Sequence, residues 1–384
     1  MSALFYLSNQ KLHCIVDSKS MDIPCQSIDQ YKKNLKEIKQ RKQWKSMGAG
    51  AQFMGIDGAE DDDLSQIYPS DVVIVDENHF IYTARLQEGT SICLKSLVNL
   101  QDAEGLVLRK NDFTVFDMDY DPISRNLVLS ASHDYELERH LCILPLEGNR
   151  TKELTEGECQ DSNPHFNPLN REEIFYDTCG LSYTNDIAFG PKEICKLNLK
   201  TGELETVMSD HKFDFFKPQM DTNGNLYFIK RPYGSTQPLD PFSSIKNLLL
   251  APVKIVKAIV GWLDFFTQRY TGESLKTTSG RNPAKVKQKS EEELFIEGNL
   301  IKAHQSLEKN KNAGEKFPGL IPSSWELIKL KPTGEVQVMK KGVMSFSVQE
   351  EKIYYSNGQH IISLAPDSSE TLILEEKLVS KIVL

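Results

Sequence analysis

Leu378-Val379-Ser380-Lys381-Ile382-Val383-Leu384 ends the sequence with a strand-like run that stands beyond the last complete phrase of an internal repeat. The phrase is a short apolar strand, a polar turn, an apolar strand, a loop, an alternating strand, a turn and a final strand. Its clearest marker is the first turn. It reads Asp76-Glu77-Asn78-His79, Asp121-Pro122-Ile123-Ser124-Arg125-Asn126, Asn167-Pro168-Leu169-Asn170, Asp221-Thr222-Asn223-Gly224 and Gln349-Glu350-Glu351-Lys352. Asp, Asn, Pro and Gly supply the dihedrals and local hydrogen bonds of tight turns. Successive turns lie 45, 46, 54 and 128 residues apart. The last interval falls into line once an insertion of about 80 to 85 residues is removed.

The second strands are Phe80-Ile81-Tyr82-Thr83, Leu127-Val128-Leu129-Ser130, Ile174-Phe175-Tyr176, Leu226-Tyr227-Phe228-Ile229 and Ile353-Tyr354-Tyr355. The third are Ile92-Cys93-Leu94-Lys95, Leu141-Cys142-Ile143-Leu144, Ile194-Cys195-Lys196-Leu197, Trp325-Glu326-Leu327-Ile328 and His360-Ile361-Ile362-Ser363. Such β-branched and aromatic runs, bounded by turn residues, read as strands. Four strands in about 45 residues make a propeller blade.

That gives five blades, and the sixth comes from both ends. Residues 378–384 serve as its innermost strand, and residues 4–7, 12–16 and 23–28 as the outer three. Sharing one blade between the termini closes the ring and removes exposed sheet edges. The expected fold is therefore all-β: a six-bladed β-propeller of four-stranded blades, the sixth built from residues 4–28 plus 378–384. Residues 29–66 form a helix and a Gly/acid-rich loop, and residues 236–322 a helical insertion within a blade.

Two phrases carry a family resemblance. Asn163-Pro164-His165-Phe166-Asn167-Pro168 and Lys217-Pro218-Gln219-Met220-Asp221-Thr222-Asn223-Gly224 resemble the Pro-x-aromatic-Ser-Pro-Asp-Gly phrase of TolB-like (WD40-like) repeats. Leu197-Asn198-Leu199-Lys200-Thr201-Gly202-Glu203-Leu204 is similar to that family's third-strand ending and following turn. The resemblance covers about two thirds of the chain, well in two blades and loosely in three. It implies a propeller that often binds proteins, with relatives that are accessory domains of peptidases and a few that are lyases. Fold alone does not choose among these.

Composition narrows the classes. With 39% hydrophobic and 26% charged residues in 384, the chain can bury a large core. A net charge of −9 excludes a general nucleic-acid binder. Seven cysteines do not read as a disulfide framework and fit a reducing compartment. Residues 1–10 have no basic region and no apolar run of signal-peptide length, unlike TolB, which is periplasmic. The expected location is cytoplasmic, with any attachment being peripheral to the inner face of a membrane.

Local chemistry is sparse. There is no Gly-x-Ser-x-Gly elbow and no His-Glu-x-x-His, and Gly48-Ala49-Gly50 lacks the Lys-Ser/Thr of a phosphate loop. Cys93, Cys142 and Cys195 occupy equivalent places in three blades, so they are expected to pack far apart rather than share a metal. Cys159 and Cys179 have no second pair and form no zinc motif. Asp117, Asp119 and Asp121 alternate along a strand and could face one cation, but turn and channel-lining roles are commoner. Glu60-Asp61-Asp62-Asp63 lacks the spacing of a calcium loop. The eight histidines, His133, His140 and His165 among them, have no nucleophile context. No cofactor, metal or catalytic set is expected. The segment 28–44 reads as a basic helix with Tyr31, Leu35, Ile38 and Trp44 on one stripe, lying on the ring.

The insertion holds the sharpest functional signal. At 100° per residue, Lys246, Lys254, Lys257, Asp264 and Gln268 share one side of residues 245–270. Ile245, Leu248, Leu249, Ile255, Val256, Ile259, Val260, Trp262, Leu263, Phe266 and Tyr270 share the other, with Leu250 the exception. Residues 248–266 approach the length of a membrane span, but Lys254, Lys257 and Asp264 interrupt them. From 242 to 289, nine basic residues face two acidic ones, a net +7 that leaves −16 for the rest. Lys276, Arg281, Lys285, Lys287 and Lys289 form a polybasic tail. Anionic bilayers attract such residues at roughly 1 kcal/mol each. A second helix is expected over 291–309.

The sequence therefore points to a non-catalytic propeller acting as a protein-binding scaffold. Lys254, Ile255, Lys257, Ile259, Trp262, Phe266, Arg281, Lys285, Lys287 and Lys289 would tether it to an anionic membrane surface or a protein partner. The other open fates of the apolar face are packing on its own propeller and self-association. The alternative function is a propeller lyase or hydrolase with its site at the channel mouth. The partner and the oligomeric state are not legible.

Overall fold

The computed structural model describes residues 3–16, 19–46, 64–133, 137–182, 188–234, 293–296, 299–349 and 351–384. Strands β1 (Leu4–Ser8), β2 (Lys11–Val16) and β3 (Lys19–Asp22) precede helix α1 (Gln26–Ser46). Blade 1 holds β4 (Tyr68–Ile74), β5 (His79–Leu86), β6 (Gly89–Ser96) and β7 (Gly105–Asn111). Blade 2 holds β8 (Phe113–Asp121), β9 (Asn126–His133), β10 (His140–Pro145) and β11 (Lys152–Glu153). Blade 3 holds β12 (Cys159–Phe166), β13 (Glu173–Ser182), the short β14 (Ala188–Phe189), β15 (Glu193–Asn198) and β16 (Leu204–Met208). Blade 4 begins with β17 (Phe213–Met220) and β18 (Leu226–Pro232). After them come β19 (Glu293–Ile296), β20 (Asn299–Lys302) and helix α2 (Ala303–Asn312), and then β21 (Glu326–Leu330) and β22 (Val336–Lys341) complete the blade. Blade 5 holds β23 (Ser345–Gln349), β24 (Lys352–Ser356), β25 (His360–Leu364) and β26 (Glu370–Glu375).

The ring closes as the termini require. Strand β27 (Lys381–Val383) pairs antiparallel with β1, Tyr6 opposite Ile382, and the sixth sheet runs β27-β1-β2-β3. The innermost strands touch in cyclic order, β4 to β8, β12, β17, β23, β27 and back to β4.

Six apolar cores fill the six seams between blades. Val73, Ile81 and Ile92 of blade 1 meet Phe113, Met118 and Leu129 of blade 2. Val128 and Leu141 of blade 2 meet Ile174 and Tyr176 of blade 3. Phe175 and Ile194 meet Phe215 and Phe228. Phe216, Ile229 and Trp325 of blade 4 meet Tyr355 and Ile362 of blade 5. Ile361 meets Tyr6 and Ile382. Phe5 and Leu12 meet Phe80, Tyr82 and Cys93. Neighbouring residues on one strand thus serve opposite seams: Val72 and Val73, Phe215 and Phe216, Ile361 and Ile362. A strand buried on both faces needs a continuous apolar run, as in parallel sheets covered on both sides. That explains why these strands show so little polar alternation.

The turn residues act locally as expected. Asp76 Oδ1 accepts the Asn78 amide at 2.7 Å, Asn167 Oδ1 the Leu169 amide at 2.9 Å and Asp221 Oδ1 the Asn223 amide at 2.9 Å. Cys93, Cys142 and Cys195 belong to three different seams.

Two expectations are corrected. The third terminal strand is Lys19–Asp22, not 23–28. Ile23, Cys25 and Ile28 are buried in the seam between blades 6 and 1, where the helix already begins. The helix starts there because a distant group caps it. Glu104 Oε1 accepts the Gln26 amide at 2.9 Å, and its Oε2 accepts the Ser27 amide at 2.8 Å. These amides have no partner within the helix, and a carboxylate also suits its positive end. The same carboxylate accepts bonds from buried Lys95 Nζ at 3.0 Å and Tyr82 Oη at 2.7 Å. The second correction is in the insertion. In place of a helix over 291–309, β19 and β20 form an antiparallel hairpin with Phe295 opposite Leu300, and the helix is confined to Ala303–Asn312. The apolar pairs Phe295-Ile296 and Leu300-Ile301 suit either element in isolation, and their pairing with one another makes them strands.

The described end of the insertion packs on the propeller. Ile301 and Ala303 join the core between blades 4 and 5, and Asn310 Nδ2 donates to the Gly319 and Ile321 carbonyls at 2.9 and 3.0 Å. Helix α1 lies on the ring through Tyr31 and Leu35, while Ile38 is exposed.

Candidate binding site at the channel mouth

Four blades interrupt the pairing of their first two strands at the same place. The register shifts between Pro69 and Asp71, Val115 and Asp117, Ser162 and His165, and Phe216 and Gln219. A β-bulge of this kind turns a side chain away from the regular pleat. The residues so released include Ser70, Phe116, Asn163 and Lys217, and all four line one cavity of about 190 Å³. Asn163 and Lys217 take left-handed backbone angles, φ 50° and 57°, each directly before a proline. Such conformations cost energy and persist where surrounding bonds fix them.

All but one of those bonds, Asn163 Nδ2 to Asp177 within blade 3, run between blades. The Lys217 amide donates to Asp177 Oδ2 at 3.0 Å, and Asn163 Nδ2 donates to the same oxygen at 2.7 Å. Asp71 Oδ2 accepts the Met118 amide at 2.6 Å, and Asp117 Oδ2 accepts the Asn163 amide at 3.3 Å. Asp119 Oδ2 accepts the Phe166 amide at 2.8 Å. Gln219 bridges to blade 5, donating to the Phe346 carbonyl and accepting the Val348 amide. Each carboxylate is thus engaged by an amide of the following blade.

The cavity itself is cationic. Arg85, Arg139, Lys192, Lys217 and Lys381 line it, against two carboxylates, Asp71 and Asp117, with Tyr68 and Phe116 beside them. The Arg139 guanidinium lies 3.8 Å from the Phe116 ring centre and that of Arg85 lies 5.9 Å from it. Lys192 Nζ meets Asp177 Oδ1 at 2.7 Å, Lys381 Nζ meets Asp71 Oδ2 at 3.1 Å, and Lys217 Nζ donates to the Ser380 carbonyl at 3.2 Å. Burial pushes the Asp71 and Asp177 carboxyls above the ordinary range, opposed by Lys381 and Lys192 respectively. Burial also works against the charged Lys381, but Asp71, Asp117 and Asp119 outweigh it and raise its value. The pairing keeps Lys381 cationic at neutral pH.

Solved structures resemble the entire ring. A structure of a nidogen/laminin complex matches at TM-score 0.50 and 8% identity, over 99% of this chain and 97% of that one. TolB from Acinetobacter baumannii matches at TM-score 0.50 and 8% identity, over 99% of this chain and 65% of that one. In fold, the chain is a TolB-like six-bladed propeller. No protein-family model and no curated protein matches the sequence. At such identity the likeness concerns architecture alone.

Within this TolB-like ring, Asp117, Asp119 and Asp121 separate. Asp117 and Asp119 latch blade 2 to blade 3. Asp121 holds its own turn through the Ser124 amide at 2.9 Å and pairs with Arg171 at 3.1 Å. His133 pairs with Glu153 at 3.0 Å, and His165 with Asp119 at 3.2 Å. The tether residues Lys254, Ile255, Lys257, Ile259, Trp262, Phe266, Arg281, Lys285, Lys287 and Lys289 lie outside the described residues. So does most of the Gly/acid-rich loop. Among the described residues no helix is long and apolar enough to cross a membrane. Sequence reasoning missed the cationic mouth. Its one local signal was Asn163-Pro164 and Lys217-Pro218 at matching places in the repeat, with Lys381 inside an apolar closing strand.

Proposed function

We propose that this TolB-like propeller is a non-catalytic protein-binding scaffold whose channel mouth takes an acidic segment of a partner. The observation that carries the reading is the convergence of five cationic side chains on one cavity, against two lining carboxylates, in a chain of net charge −9. A guanidinium can grip a carboxylate through two parallel hydrogen bonds, and stacking on an aromatic ring, as Arg139 stacks on Phe116, orients it. The recess also partly excludes water, which strengthens each such contact. The test is fluorescence anisotropy with a labelled Glu-rich peptide. Saturable binding that weakens with salt and drops at least about tenfold in R85A/R139A is expected. Binding unchanged in that variant would sink the reading.

The tether is a second element of the same proposal. The apolar side of residues 245–270 and the basic tail that follows suit an anionic membrane surface. Flotation with phosphatidylserine vesicles should carry the intact chain upward, and a chain lacking 236–292 should stay below. This deletion spares Ile301 and Ala303, which belong to the propeller core. Trp262→Glu with Phe266→Glu offers the milder variant, and flotation unaffected by it rejects the lipid contact. Binding to a protein partner by the same segment is the other outcome of that experiment.

A lyase or hydrolase at the mouth is the second reading, favoured by Asp71 and Asp117 meeting Lys217 and Lys381 there. A general base needs a carboxylate oxygen within reach of substrate. Asp71 instead accepts from Val72, Met118 and Lys381. Five basic and two acidic side chains line the cavity, and the scaffold reading uses that excess of positive charge.

A further inference from the structure

At the seam between blades 2 and 3, a histidine, a cysteine and an aspartate meet outside the mouth. His140 opens β10, and Cys159 and Asp161 stand on β12. One ligand atom from each lies within 4.8 Å of the others. Cys159 and Asp161 are two apart on one strand and therefore share a face. Cys179 is excluded by the same geometry. It pairs with Gln160, so it belongs to the opposite face, and a disulfide with Cys159 does not form.

Three further observations point to a ligand. His140 Nδ1 is buried and has no hydrogen-bond partner among the described residues, and a buried imidazole nitrogen left so is costly. Asp161 is buried and its Oδ2 accepts from Thr155 Oγ1 at 2.6 Å, an arrangement that fixes a carboxylate for coordination. Thr178 stands directly across from Asp161 in the sheet. Cys159 is partly exposed, which leaves an approach from solvent.

We propose that His140, Cys159 and Asp161 bind a Zn²⁺ ion, with water in the fourth position. Imidazole, thiolate and carboxylate together are the donor set of this borderline-soft cation. Zinc bonds of about 2.0 to 2.3 Å require neighbouring donors to stand roughly 3.5 Å apart. Side-chain shifts of the order of 1 Å supply the closure. Without metal, burial and the neighbouring Asp161 push the Cys159 thiol up to about 12. Binding therefore displaces one proton from that thiol to solvent as the Zn–S bond forms. No sequence motif reveals the site, because its ligands come from two blades.

The metal also braces the mouth. The Arg139 amide donates to the Cys159 carbonyl at 3.1 Å, and the Arg139 carbonyl accepts the Asp161 amide at 2.9 Å. The arginine stacked on Phe116 is thus clamped between the two strand ligands.

The metal-stripped 384-residue chain titrated with Co²⁺ tests the site, followed by competition with Zn²⁺. One equivalent is expected, with a thiolate-to-cobalt charge-transfer band that Zn²⁺ abolishes. Cys159→Ser should remove the band, His140→Ala and Asp161→Asn should each weaken binding at least about tenfold, and Cys179→Ser should leave it intact. Circular dichroism of each variant reports whether it folds. Should C159S unfold, H140A carries the same decision. No uptake by the wild type, or a band that survives C159S, overturns the proposal. Peptide binding at the mouth is measured separately, so either result leaves that reading to its own test.

Discussion

On β8, Phe113 and Met118 enter the seam with blade 1, whereas Phe116 and Asp117 between them line the mouth of the channel. One strand thus contributes to two regions built on opposite terms. The seam is apolar, continuous and assembled from neighbours in the repeat. The mouth is charged and assembled from residues released by bulges in four blades. What separates them is a single extra residue in the pairing of β8 with β9. In the seams the ring gains its stability, and at the mouth it places charge where solvent and ligand can reach it.

The largest effect is expected where the two terms meet. Glu104 is a charged group inside the apolar seam of blades 6 and 1. It holds Lys95, whose side chain is 0% exposed, together with Tyr82 and the first two amides of α1. Glu104→Ala should cost at least the roughly 3–5 kcal/mol of breaking a buried pair, because it strands a lysine ammonium in an apolar setting. Urea unfolding measures the loss. Lys95→Met combined with Glu104→Leu should recover much of it. A single variant that lost less than about 1 kcal/mol would show the network to be incidental.

The seam of blades 4 and 5, where buried Arg231 also lies over Trp325, gives the next test. Trp325 is 1% exposed and packs edge-on against Phe216 at 5.7 Å between ring centres. Trp325→Ala should cost about 3–4 kcal/mol through lost burial and the cavity left behind. The midpoint should fall with the denaturant slope unchanged.

The same comparison explains what was legible in the sequence. Strands such as Leu127-Val128-Leu129 could be read because burial on both faces leaves a continuous apolar run. Turns could be read because Asp76, Asn167 and Asp221 bond to their own loops. Closure by Lys381–Val383 beside β1 followed from counting strands. The start of α1 could not be read, since its cap is Glu104, far along the chain. The hairpin at 293–302 was missed because its short apolar runs fit either helix or strand in isolation. The mouth was opaque for a deeper reason. Arg85, Arg139, Lys192, Lys217 and Lys381 come from five separate places, Lys217 alone from a bulge, and only the ring brings them together.

Acid should loosen the Asp119 latch between blades 2 and 3 before it touches the apolar seams. Burial by itself would raise the Asp119 carboxyl, but His165 beside it and the Phe166 amide outweigh burial and lower it. A carboxyl depressed in the folded state stabilises above its unfolded value of about 3.9 and loses that contribution as pH falls through the folded value. Wild type and Asp119→Asn should therefore differ by about 1 kcal/mol at neutral pH and converge below about pH 4. Thermal melts at stepped pH check this. A constant gap across that range would mean that Asp119 acts through packing rather than charge.

The smallest effect on stability is expected at the mouth. Arg139→Ala removes a guanidinium that stacks on Phe116 at the cavity surface and belongs to none of the six seam cores. Its backbone bonds to Cys159 and Asp161 do not depend on the side chain. Unfolding free energy should fall by about 1 kcal/mol at most, the worth of the contact with Phe116. Affinity for the Glu-rich peptide should fall, and its salt dependence should flatten as one charge is lost. The two readouts must separate, because the bulge that released Phe116 also removed this corner from the core. If Arg139→Ala instead destabilised the chain as strongly as Trp325→Ala, the mouth would be part of the ring's framework, and its charge would serve closure rather than recognition.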